Sequence, residues 1–215
     1  KMFLTIKKIP KKEWSSNNPF ILKPKIKTFL YLCFGLFLFG LGEGLLVVSL
    51  TGTTPWTVLA QGISQKIGFS VGVVTFFISL TVLFFWIFLD VKPGLGTIFN
   101  ALIIALMLDL TILYVPTPES YLFKLLLAIF AIFIVGLGSG IYLICNLGPG
   151  PRDGLMTGLQ KKTNLPIALV RALIEIIVAS VGWYLGGNLG VGTLLFAFGI
   201  GPAVAFGLYI VDRTA

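Results

Sequence analysis

The sequence predicts an all-α integral membrane protein. Its six transmembrane helices form two inverted three-helix repeats, each with an additional short helix after its first span. Three observations carry this expectation. The chain of 215 residues is 57% hydrophobic and 11% charged, against roughly 25% charged residues in soluble domains. Its apolar residues gather in six runs, each near the roughly 20 residues that a helix needs to cross a bilayer. The chain also matches itself without a gap at a shift of 96 positions, which marks a protein built from two similar halves.

Residues 1–28 read as a basic N-terminal tail rather than a cleavable signal peptide. Lys, Pro, Asn and Ser alternate there with scattered apolar residues, and the apolar run that follows is long enough to span. The first repeat, residues 29–115, holds spans at about Phe29–Leu50, Phe69–Leu89 and Thr97–Tyr114. The second, residues 122–211, holds spans at about Leu122–Leu147, Pro166–Leu185 and Thr193–Val211. The self-match is carried by Gly40-Leu41-Gly42-x-Gly44 on Gly136-Leu137-Gly138-x-Gly140, by Pro55 on Pro151, and by Gly94-x-Gly96-Thr97 on Gly190-x-Gly192-Thr193.

Charge sets the expected orientation. With six crossings and a cytoplasmic N-terminus, thirteen of the sixteen basic residues fall on the inner side. Lys66 and Lys124 fall outside and Arg171 within a span, the asymmetry of a multi-pass inner-membrane protein with both ends cytoplasmic. Three spans per half is an odd number, so the second half enters the membrane from the opposite side. The halves are therefore expected to be inverted.

Between the first and second spans of each half lies a short helix, opened by Thr54-Pro55-Trp56 and by Gly150-Pro151-Arg152. Proline suits a first helical position because it has no N–H to leave unpaired. Two arrangements fit these helices. They are re-entrant, with their positive N-terminal ends facing a ligand, or they lie flat at the interface. Leu155, Met156 and Leu159 on one face, followed by Lys161 and Lys162, suit the flat arrangement. The Gly94-x-Gly96-Thr97 and Gly190-x-Gly192-Thr193 motifs read as tight turns that cap the helices they begin. Gly40-xxx-Gly44 and Gly136-xxx-Gly140 are expected to let the first and fourth spans pack on each other.

Ionisable groups inside a bilayer are costly, so each is a functional candidate. Here they are Glu43, Asp109, Arg171 and Glu175, with Arg152 and Asp153 opening the second short helix. Arg171 and Glu175 stand four apart on one helix face, close enough to pair. The equivalents of Arg152, Asp153, Arg171 and Glu175 in the first half are Trp56, Thr57, Thr75 and Ser79. The candidate substrate site therefore comprises Arg152, Asp153, Arg171, Glu175 and Glu43, with the basic residues favouring an anionic group. Asp109 fits a second reading, in which it reaches toward the outer rim. The chain has no histidine, which removes His-ligated metal and haem sites, so no cofactor is expected. Cys33 and Cys145 read as small apolar residues within spans.

With these motifs in hand, the chain resembles the YczE/YitT-type family of bacterial polytopic membrane proteins over roughly residues 30–211. The most specific stretch is Gly150-Pro151-Arg152-Asp153-Gly154-Leu155-Met156. It is joined by Pro55-Trp56, Pro93-Gly94-x-Gly96-Thr97 with Asn100, and Arg171 with Glu175. The resemblance implies a helical inner-membrane protein of a kind without a settled activity and often supposed to transport solutes. It departs at Thr57, where the family often has an acid after Pro-Trp, and in the longer basic tail.

The expectations about function are a transporter or channel for a small, anionic solute, with the lipid bilayer as surroundings and no nucleic acid. The alternative is an accessory subunit of a larger membrane complex, since a Lys/Pro/Asn-rich tail needs a partner protein or anionic lipid headgroups to order it. A substrate-capturing subunit of a multi-component importer is a third possibility. An enzyme is not expected, because no nucleophile–base spacing or metal constellation is present.

Overall fold

The computed structural model describes residues 9–214, and all regular structure among them is helical. The helices are α1 (Ile26–Val48), α2 (Pro55–Ile67), α3 (Val71–Trp86, continued by a 3-10 turn to Leu89), α4 (Leu95–Tyr114), α5 (Tyr121–Cys145), α6 (Pro151–Thr163), α7 (Ile167–Tyr184) and α8 (Val191–Thr214). The starts of α2 and α6, of α3 and α7, and of α4 and α8 each stand 96 residues apart. The repeat read from the sequence is thus a repeat of helices. Six of them, α1, α3, α4, α5, α7 and α8, are long and apolar enough to cross a membrane, and this is a multi-pass membrane protein.

Local chemistry sets the helix starts. Thr54 accepts from the Thr57 N–H at 3.3 Å and precedes Pro55 at the first helical position. Ser70 accepts from the Val73 N–H at 3.2 Å to open α3. Gly68 adopts φ +76° and ends α2.

Helices α1 and α5 form the centre, with α4 packed on α1 and α8 on α5. Outside them α2 packs on α7, and α6 on α3. The glycines that permit this differ from those expected. Gly40 and Gly44 face Met107 and Thr111 of α4, while Gly136 and Gly140 face Ala203 and Gly207 of α8. The small-xxx-small motifs therefore serve packing within each half. The α1–α5 crossing, which those motifs were expected to make, uses Gly42 against Ala131 and Gly138 against Gly35. Those two contacts are equivalent under the 96-residue shift.

The glycine–threonine turns do more than cap helices. The Gly96 N–H donates to the Leu147 carbonyl at 2.7 Å, and the Gly192 N–H to the Thr51 carbonyl at 2.8 Å. Each half therefore clasps the loop that follows the first span of the other. A Cβ on Gly52 would sit 2.5 Å from the Gly190 nitrogen, and one on Gly148 would sit 2.9 Å from the Gly94 Cα. Both residues hold positive φ, +112° and +105°.

From residue 9 onward the tail packs on the bundle. Trp14 is buried and stacks on Tyr31 with ring centroids 4.3 Å apart, and its carbonyl accepts from the Thr28 hydroxyl. The Ser16 N–H donates to the Cys145 carbonyl at 3.0 Å, and Lys12 pairs with Asp212 at 3.3 Å. The ends of α5 and α8 thus give the tail a surface within the chain itself. Residues 1–8 of the expected tail lie outside the described residues. Cys33 and Cys145 are both free thiols.

Candidate functional site

The short helices insert their first turns between the long ones. Pro55, Trp56, Thr57, Val58, Ala60, Gln61 and Gly62 of α2 are buried, as are Pro151, Gly154, Met156 and Gly158 of α6. Helix α2 is enclosed over its first two turns. Trp86 fixes α6 from α3, donating from its indole to the Pro151 carbonyl at 3.0 Å. Its ring lies where a Cβ on Gly154 would fall, 1.9 Å from Cζ2.

Both N-terminal turns open onto one cavity of about 420 Å³ that all eight helices line. All five expected site residues, Glu43, Arg152, Asp153, Arg171 and Glu175, reach its wall. Glu43 is 1% exposed and lies where the two short helices converge. Its carboxylate accepts from the Thr57 hydroxyl at 2.7 Å and the Thr54 hydroxyl at 3.4 Å, and pairs with Arg152 Nη1 at 3.2 Å. The Arg152 guanidinium also lies over the Trp56 ring, 5.5 Å from its centroid. Trp56 and Arg152 are equivalent positions of the repeat, so the site sits where the halves meet.

Asp153 accepts from the Tyr142 hydroxyl at 2.9 Å. Arg171 and Glu175 pair along α7 at 2.8 Å, with the Arg171 side chain 48% exposed. Three acids and two bases thus line the cavity, and both bases are paired. Among the described residues no cation is paired with Asp153. Two residues of the wall, Trp56 and Thr75, bury an indole N–H and a hydroxyl without a protein partner.

Asp109 lies apart from this site. Its carboxylate accepts from the Gly72 N–H at 2.7 Å and from the Ser70 hydroxyl, tying the start of α3 to α4. The sequence reading left this acid without a partner.

Residues 26–208 match DUF6198, described as a family of unknown function. The chain belongs to this family. It is 40% identical over 208 residues, 97% of this chain and 94% of the relative, to an uncharacterized protein of Haemophilus influenzae. It is 30% identical to the uncharacterized membrane protein YczE of Bacillus subtilis, over 73% of this chain and 74% of the relative. It is also 30% identical to the uncharacterized protein YyaS of that organism, over 78% and 85%. The resemblance read from the motifs therefore holds. No solved structure matches the chain.

Within this DUF6198 member, sequence reasoning passed over Thr54, Thr57 and Tyr142 as site residues. The Thr54-x-x-Thr57 spacing at a helix start was the available signal, since it brings two hydroxyls to one helix end. Thr57 occupies the place where the resemblance leads one to expect an acid. A carboxylate there would face that of Glu43, whereas the hydroxyl donates to it.

Proposed function

We propose that this protein carries a solute with a small charged group across the cytoplasmic membrane through the cavity between the two short helices. The observation that carries the reading is that cavity itself. Two broken elements meet inside a membrane-length bundle and hold a buried ion pair between them. Such elements are the usual builders of midplane solute sites. Reciprocal contacts, Gly42–Ala131 with Gly138–Gly35 and Gly52–Gly190 with Gly148–Gly94, are what two halves related by a two-fold axis produce. With three spans in each half, that axis lies in the membrane plane and both chain ends face the cytoplasm.

The charge balance refines the solute. Both arginines are paired and an acid is left over, so a simple anion has no free cation to meet. A zwitterion fits better, with an ammonium at Asp153 and an anionic group at Arg171. Its partner Glu175 stands one turn away on the same helix, so Arg171 can take a ligand anion without a change in the bundle. Proteoliposomes offered a panel of anions, amines and zwitterions, both water-soluble and lipid-linked, test the reading. Saturable movement of a zwitterion that is lost in Asp153→Asn supports it. Movement of no member of the panel above protein-free vesicles overturns it.

A further inference from the structure

The two halves differ at one seam. Helix α3 packs along α4, but their counterparts α7 and α8 barely touch. The reason is legible in the residues. Asp109, Ser70 and Gly72 staple α3 to α4, and their equivalents in the second half are Ala205, Pro166 and Ala168, which cannot form such a staple. Helix α8 also carries Gly199-x-Gly201-Pro202 in its interior, with Gly201 on the cavity, where α4 has Ile103, Ala105 and Leu106. Proline removes a helix hydrogen bond there, and the space beside Gly201 is open.

The cavity reaches this seam. Arg171 and Glu175 line it from α7, and Phe196, Ile200 and Val204 line it from α8. One wall is charged and the other aliphatic and aromatic. On their other faces α7 and α8, both of membrane length, expose Leu173, Ile176, Ile177, Leu194 and Phe198. A bilayer therefore surrounds the mouth of a site that holds unneutralised charge.

We infer that the ligand is a zwitterionic amphiphile that enters from the bilayer between α7 and α8. Its headgroup reaches Arg171 and Asp153, and its chain lies along Ile200 and Val204. The inference rests on the proposed carrier reading but specifies the route and the ligand. A second copy of the chain is a poorer occupant, because the surface flanking the seam is uniformly apolar while the Arg171–Glu175 pair lies open within it.

The test uses the full chain in vesicles containing lysophosphatidylethanolamine with a diazirine in its acyl chain. Photolabelling concentrated at Ile200, Val204 and the facing side of α7 is the expected result. Uniform labelling of all lipid-facing helices overturns the inference. A triple variant, Pro166→Ser, Ala168→Gly and Ala205→Asp, rebuilds the first half's staple in the second and is expected to abolish the seam labelling. Undiminished labelling in a folded triple variant overturns the route, and should that variant not fold, the labelling map of the wild-type chain decides alone. Native mass spectrometry separates the remaining cases. A monomer carrying the lysolipid supports the inference, and a lipid-free dimer overturns it. Binding of water-soluble glycerophosphoethanolamine without seam labelling overturns the amphiphile while leaving the carrier reading intact. Seam labelling without movement of any solute leaves the amphiphile site and removes the carrier.

Discussion

The two repeats share a backbone and divide the chemistry. In the first half the acid stands on the long helix, Glu43 of α1, and the hydroxyl on the short one, Thr57 of α2. In the second half the positions are exchanged: the hydroxyl is Ser139 of α5 and the acid is Asp153 of α6. The two carboxylates also differ in their partners. Glu43 is buried against an arginine and two threonines, while Asp153 has the Tyr142 hydroxyl. One carboxylate, Glu43, thus ties the two halves together at the centre, and the other, Asp153, keeps a charge to offer. Symmetry fixes where the short helices meet, and departure from it decides what they meet around.

The largest test of that division removes Arg152. Truncating one partner of a buried ion pair costs about 3–5 kcal/mol, because the other charge is left unpaired. Arg152→Ala is expected to lower the thermal unfolding temperature of the detergent-solubilised protein strongly. Adding Glu43→Gln should restore most of the loss. Asp153→Asn, by contrast, should cost no more than about 1 kcal/mol, the scale of one hydrogen bond. Equal losses from Arg152→Ala and Asp153→Asn would erase the distinction between the two carboxylates, Glu43 held in an ion pair and Asp153 left without one.

The crossings of short helix on span give the next contrast. Trp86 of α3 fills the space over Gly154 of α6, whereas at the equivalent crossing Gly182 of α7 lies against Val58 and Leu59 of α2. Large and small residues have changed sides. Overpacking costs about 1–3 kcal/mol, so Gly154→Ala and Gly182→Ala should both destabilise. Trp86→Phe should rescue the first and leave the second unchanged, because only Gly154 faces that ring. Differential scanning fluorimetry of the four variants is sufficient to decide.

Most of this scaffold was legible in the sequence. Spans announce themselves by composition, and the repeat carried Pro55 and Pro151 to the starts of the two short helices. The site was legible as a set of residues but not as pairs. Glu43 and Arg152 are 109 positions apart, and helical periodicity relates only near neighbours such as Arg171 and Glu175. The glycine motifs misled for a related reason. Spacing shows that a helix face is small, but not which helix lies on it, and Gly40 turned out to face α4. The docking of the tail was not legible, because composition alone marks it as unfolded while one of its residues, Trp14, anchors it on Tyr31.

A smaller effect is expected at the staple that only the first half possesses. Asp109 accepts from the Gly72 N–H and the Ser70 hydroxyl, and a lost hydrogen bond costs about 0.5–1.5 kcal/mol. Asp109→Ala should therefore produce a modest loss of stability, with faster hydrogen exchange confined to the first turn of α3 near Ser70, Gly72 and Val73. The first turn of α7 lacks the staple in the wild-type chain and should already exchange at a comparable rate. Slow exchange there would mean that α7 is held by something other than the contacts described above.

The smallest effect concerns the segment that has no counterpart in the second half. Lys12 and Asp212 join the tail to the end of α8 through a partly exposed pair, and such pairs contribute about 0–1 kcal/mol. Trp14 instead buries its whole ring against Tyr31 in the cluster that includes Leu32, Ile141 and Leu147. Asp212→Asn should leave limited proteolysis of the tail unchanged, whereas Trp14→Ala should expose it to cleavage while the bundle stays intact. The difference follows from where each contact lies: the ion pair keeps its water, and the indole gives its up. A tail released by Asp212→Asn would mean that charge at the end of α8, rather than burial of Trp14, fastens the first half to the second on this side.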